Sequence, residues 1–104
     1  INTLCRMNDK VLKVIIETCL LSNDQIKKAC EVCAEKDVDF VKTSTGFNGE
    51  GAQLETVKLM RSILPNSIKI KASGGIRDKK TAIEMINAGA DRIGTSSGFT
   101  ILEE

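Results

Sequence analysis

The stretch Ile68-Lys69-Ile70-Lys71-Ala72-Ser73-Gly74-Gly75 decides the fold class. Its first six residues alternate apolar and polar, the period of a strand, and the glycine pair then ends it. Ile68, Ile70 and Ala72 form one apolar face suited to covering helices, which puts Lys69, Lys71 and Ser73 together on the opposite face. A helix opens near Asp78, carries Ala82, Ile83, Met85 and Ile86 on its buried side, and stops at Gly89. Strand, glycine turn and returning helix make one unit of a parallel α/β fold.

The same unit recurs on both sides. Upstream, the β-branched run Val11 to Thr18 (VLKVIIET) reads as a strand, followed by the N-cap candidates Ser22, Asn23 and Asp24 and a helix through Ile26, Ala29, Cys30 and Cys33. Val38 to Thr45 (VDFVKTST) reads as the next strand. Gly46 ends it, a glycine-containing loop runs to Gly51, and a helix carries Leu54, Val57, Leu59, Met60 and Ile63 up to Pro65. Downstream, Asp91 to Thr95 is a short fourth strand, and Ser96-Ser97-Gly98 opens a last helix. Strands near 11–18, 38–45, 68–73 and 91–95 alternating with helices predict parallel pairing through right-handed crossovers. The expected organisation is one unit over residues 1–104, without a linker, and with no complete element in the first ten residues, INTLCRMNDK.

Composition narrows the function. The 104 residues are 41% hydrophobic, enough for a modest core. Fifteen Lys and Arg balance 14 Asp and Glu, a net charge of +1, so no electrostatic footprint for nucleic acid or an anionic membrane is present. The four cysteines lie in ordinary apolar or helical contexts, and neither a signal-peptide pattern nor an apolar run of spanning length occurs; a reducing, cytoplasmic compartment is expected. Cys30 and Cys33 have redox-like spacing but fall mid-helix, as buried small residues. With no histidine, the chain cannot build a Ser-His nucleophile, a Cys-His pair or a His-ligated metal site. Acid and base chemistry falls to Lys, Asp, Glu or water.

Strand alternation then selects the candidates. Phe40 and Lys42 share one face of the second strand, with Val41 and Thr43 on the other; Lys13, Ile15 and Glu17 share a face of the first, and Arg92 and Gly94 a face of the fourth. With the charged faces turned the same way, Glu17, Lys42 and Lys71 converge at the carboxyl ends of the strands, where parallel α/β folds place their sites. Charges of this kind usually line a solvated face. A parallel sheet, however, is covered on both faces or closed into a packed barrel, so an inward lysine needs a partner or a task. Two adjacent lysines lower one another's pKa, and the neutral amine so produced attacks a carbonyl to make a Schiff base. Arg92, beside Asp91, reads as an ion-pair partner, and Lys27-Lys28 and Lys79-Lys80 as solvated helix faces. Gly74-Gly75 and Gly94-Thr95-Ser96-Ser97-Gly98 follow neighbouring strands and offer backbone N–H groups and hydroxyls to a phosphate.

Three segments, Val41-Lys42-Thr43-Ser44-Thr45-Gly46-Phe47, Lys71-Ala72-Ser73-Gly74-Gly75-Ile76-Arg77 and Arg92-Ile93-Gly94-Thr95-Ser96-Ser97-Gly98, together with Val14-Ile15-Ile16-Glu17-Thr18, closely resemble the deoxyribose-phosphate aldolase family. The resemblance runs in order from about residue 11 to 99. It implies four βα units of the second half of a (β/α)8 TIM barrel. The implied reaction is reversible cleavage of 2-deoxy-D-ribose 5-phosphate to D-glyceraldehyde 3-phosphate and acetaldehyde, with no metal or organic cofactor. By resemblance Lys42 is the Schiff-base lysine and Lys71 the second lysine that tunes it and supports proton transfer. Gly46, Gly74, Gly75, Gly94, Ser96 and Ser97 would surround the phosphate, and Thr45 would lie near the substrate hydroxyls. The family also places an aspartate a few residues before an Ile-Asn pair, which here would fall upstream of Ile1-Asn2, and a longer helix where this chain has only the few residues around Asp9 to Val11. A half-barrel exposes two sheet edges, so self-association or a complementary barrel half is expected as partner. Two other readings stay open: a non-catalytic (β/α)4 phosphate-binding or assembly module, and another lysine aldolase acting on a different phosphosugar.

Overall fold

The computed structural model describes residues 1–104. In chain order the elements are α1 (Asn2–Met7), β1 (Lys13–Ile15), a 3-10 turn (Thr18–Leu20), α2 (Asn23–Glu35), β2 (Phe40–Lys42), α3 (Leu54–Ile63), β3 (Lys69–Ser73), α4 (Lys79–Ala88), β4 (Arg92–Gly94) and α5 (Gly98–Glu103). The four strands form one parallel sheet in the order β1-β2-β3-β4. Two of the three crossover helices, α2 and α4, begin on a side-chain cap. Ser22 and Gln25 close a capping box on α2, and Asp78 accepts from the Thr81 N–H at the start of α4.

Helices cover one face of this sheet. Val41, Ile70 and Ala72 from the strands, Ile68 just before β3, and Cys30, Val57 and Met60 from the helices all have zero exposure and form the core. The opposite face is the polar one. Register fixes its rows: Lys13 lies beside Phe40 and Phe40 beside Lys69, while the next row runs Ile15, Lys42, Lys71, Arg92.

Several expectations are corrected. The first ten residues are not without an element, since α1 forms and docks through Asn2, whose amide donates to the Lys36 carbonyl at 2.7 Å. The first strand spans three residues, not eight, because Glu17 adopts the left-handed region (φ 52°) and turns the chain into the 3-10 turn. The second and fourth are likewise three residues each. On α4, Ala82 and Met85 are buried but Ile83 and Ile86 are 46% and 53% exposed. Arg92 is not the partner of Asp91. Asp91 instead pairs with Arg61 at 3.3 Å and accepts from the Ile70 N–H, while Arg61 also donates to the carbonyls of Leu64, Pro65 and Ile68. Cys30 and Cys33 are buried as expected, and burial pushes the Cys30 thiol up to about 11.

Candidate active site

The carboxyl ends of β2 and β3 are tied by hydroxyls. Thr43 Oγ1 accepts from the Ser73 N–H at 3.1 Å, and Ser73 Oγ donates to the Ser44 carbonyl at 2.7 Å. Thr43, Ser44 and Ser73 are all buried, so these bonds form out of water, where an unmade bond is costly. The network sets the height at which Lys42 and Lys71 leave the sheet, side by side in the register.

Two backbone approaches shape the turn after β3. Gly51 presses on Gly74: a Cβ on Gly51 would stand 2.2 Å from the Gly74 carbonyl carbon. Ala52 N–H donates to the carbonyls of Ser73 and Gly74 at 2.8 and 3.1 Å, fastening the β2–α3 loop to the turn. Gly74 and Gly75 have φ of 87° and 76°, conformations that glycine adopts without strain. The turn after β4 is joined in turn, since Thr95 Oγ1 donates to the Ile76 carbonyl at 2.5 Å and accepts from the Ser97 N–H at 2.9 Å.

Between these turns lies an open pocket of about 370 Å³. Lys42, Thr45, Gly46, Gly74, Gly75, Gly94 and Ser96 line it, together with Ser73, Ile76, Arg77 and Thr95. Lys71 and Ser97 stand just behind that lining: Lys71 leans across Gly94, and Ser97 reaches it through Thr95. Sequence reasoning missed Arg77, the one guanidinium at the pocket, although it falls inside a quoted motif; Thr95 had entered only as part of the turn after the fourth strand. A larger hollow of about 460 Å³ lies at the α1 end, but it is lined mostly by apolar side chains and lies away from Lys42 and the glycine turns.

Charge is distributed unevenly around the site. The Glu17 carboxylate accepts from the Thr45 N–H at 3.0 Å, from the Thr45 hydroxyl, and from the Asn48 amide at 3.1 Å. These bonds, the Thr45 hydroxyl foremost, hold its pKa below the ordinary carboxylate value, and the charge of Lys42 adds to the effect. Lys71 is lowered from the ordinary lysine range, first by the charge of Lys13, then by desolvation, contact with the Lys13 side chain and Arg92. The neighbours that act on Lys71 are thus Lys13 and Arg92, where alternation along the strands had suggested Lys42.

Residues 1–104 match the DeoC/LacD family aldolase model throughout. The chain belongs to the DeoC/LacD aldolases. It is 58% identical over 96 residues to a deoxyribose-phosphate aldolase of Mannheimia succiniciproducens, covering 92% of this chain and 43% of that protein. With a deoxyribose-phosphate aldolase of Aquifex aeolicus it shares 61% identity over 94 residues, 90% of this chain and 43% of that one. Among solved structures, the aldolase QR15 superposes with a TM-score of 0.84 at 60% identity, covering 90% of this chain and 42% of its own. A tetrameric deoxyribose phosphate aldolase from Aeropyrum pernix superposes with a TM-score of 0.87 at 37% identity, over 98% of this chain and 44% of its own. This DeoC/LacD chain therefore spans less than half the length of the relatives it matches. Its four parallel βα units have the architecture of half a (β/α)8 barrel.

Proposed function

We propose that this chain carries the Schiff-base half of a deoxyribose-phosphate aldolase, cleaving 2-deoxy-D-ribose 5-phosphate reversibly to D-glyceraldehyde 3-phosphate and acetaldehyde. One observation carries the reading: Lys42 opens into the same pocket as the glycine and hydroxyl turns after β3 and β4. The names of the relatives supply the substrate.

In this scheme the neutral Lys42 amine attacks the aldehyde carbon and expels water, leaving an iminium. A base takes the proton of the C3 hydroxyl, the C2–C3 bond breaks, and its electron pair passes to the iminium nitrogen as an enamine. Glyceraldehyde 3-phosphate leaves; protonation at C2 and hydrolysis release acetaldehyde and regenerate the amine. Lys71, whose pKa is lowered from the ordinary lysine range by its cationic neighbours, is suited to moving these protons. Arg77 and the turns of Gly74-Gly75 and Gly94-Ser96 are suited to the phosphate, with Gly46 at the pocket wall, Thr95 and Ser97 bracing the second turn, and Thr45 facing the sugar hydroxyls. The reaction as drawn uses no metal or organic cofactor.

The partner of this reading is a second barrel half, either a complementary segment or another copy, because β1 and β4 are open edges. Four free cysteines fit a reducing, cytoplasmic setting, and no helix is long and apolar enough to cross a membrane.

Borohydride reduction in the presence of acetaldehyde tests the nucleophile and should leave an ethyl group on Lys42. A folded sample without an adduct at Lys42 would sink the proposal. Protection by inorganic phosphate against melting, with no adduct, would favour the non-catalytic phosphate-binding module. Turnover of ribose 5-phosphate in preference to deoxyribose 5-phosphate would point to an aldolase for a different phosphosugar.

A further inference from the structure

The polar face of the sheet holds one large aromatic ring. Phe40 is only 7% exposed, yet it sits on the side away from the helices, one residue pair before Lys42 along β2. Arg92 Cζ lies 4.5 Å from its ring centroid and Lys13 Nζ lies 6.0 Å from it, both within the range of a cation–π contact. These cations come from the two outer strands of the sheet. Both act on Lys71, which stands between their strands on β3.

We propose that Phe40 is a positioning residue for Lys71: its ring gathers the cations of Lys13 and Arg92 beside the Lys71 amine and so keeps that amine among like charges. Left alone, the two cations would spread into solvent to reduce their repulsion. The negative face of the ring offsets part of that repulsion and holds them on the sheet. The groups facing Lys71 are then Lys13 from β1, Lys42 from β2 and Arg92 from β4, with Lys69 on its own strand. The carboxylate of this region, Glu17, is committed to Thr45 and Asn48 beyond the strand end. No carboxylate is among the groups that act on Lys71, and an apolar residue serves the proton-transfer lysine without touching substrate. The purpose of the device rests on the aldolase reading; its existence does not.

Competitive acetylation of the 104-residue chain across a pH range, resolved by mass for each lysine, reads the ionisation of Lys71 directly, with exposed Lys27 and Lys58 as internal references. K13M and R92M should each raise the Lys71 midpoint, K13M by more. F40L should raise it as well, while F40Y, which keeps the ring, should match the parent. A midpoint raised by half a unit lowers the neutral fraction, and hence acetylation near pH 8, by about threefold. A merely structural role for Phe40 would shift the melting temperature and leave the midpoint in place. A folded F40L with the parental Lys71 midpoint overturns the proposal, as does an unmoved midpoint in K13M. If F40L fails to fold, F40M takes its place; if neither folds, K13M and R92M, both at exposed positions, decide, and an unmoved midpoint in either sinks it. Because the readout is Lys71 ionisation, failure here leaves the borohydride adduct at Lys42 unaffected, and the reverse also holds.

Discussion

Lys71 crosses directly over Gly94: a Cβ built on Gly94 would meet Lys71 Cε at 3.0 Å and Ser73 Cβ at 2.8 Å. The glycine leaves the space in which the Lys71 side chain lies behind the pocket wall. G94A should therefore displace Lys71 and cost about 1–3 kcal/mol, as overpacking does. Urea unfolding measures the cost. An alanine variant of parental stability would show that Lys71 does not occupy that space.

A stronger clash is expected at Gly51. Its neighbour is backbone, the Gly74 carbonyl, which cannot swing aside as a lysine can. G51A should cost about 3 kcal/mol or more and detach the β2–α3 loop from the turn after β3. Hydrogen exchange at the Ala52 amide, which donates to Ser73 and Gly74, would report the detachment. Unchanged protection there would count against the contact.

Glu17 makes stability depend on pH. Its pKa is lowered from 4.5 by the bonds from Thr45 and Asn48, so its contribution is fully present above about 4.5 and disappears as pH falls through the lower folded value. The melting temperature of the parent should exceed that of E17Q at neutral pH, and the gap should close in acid. A gap that is flat from pH 7 to pH 3 would remove Glu17 from the account.

Core and surface should separate cleanly. Met60 has zero exposure, so M60A should lose about 2–5 kcal/mol, within the range for buried methionines. Ile86, 53% exposed, should tolerate alanine to within about 0.5 kcal/mol. A large loss at Ile86 would mean that another surface covers the outer side of α4.

The cysteines give a chemical readout of the same packing. Cys30, pushed up to about 11 by burial, and its buried neighbour Cys33 should resist iodoacetamide until the chain unfolds. Exposed Cys19 should react first. Labelling of Cys30 at the rate of Cys19 in native buffer would contradict the described core.

Much of this was legible in one dimension. The alternation through Ile68, Ile70 and Ala72 placed three fully buried side chains correctly, because the strand period depends only on backbone geometry. The caps at Ser22 and Asp78 were legible for the same local reason. Strand ends were not, since the turn at Glu17 needs the left-handed backbone that Thr45 and Asn48 help to hold from another loop. The partners of Arg92 and Asp91 also escaped, because adjacency in sequence puts neighbouring strand residues on opposite faces.

By itself the sequence determined the parallel α/β class, the glycine turns and the family, since each depends on local periodicity or on motifs a few residues long. Only the tertiary structure decided which cations surround Lys71, that Arg77 joins the pocket, and that Phe40 lies between Lys13 and Arg92. Those relationships depend on the register between strands far apart in the chain, and electrostatic coupling follows distance in space, not in sequence.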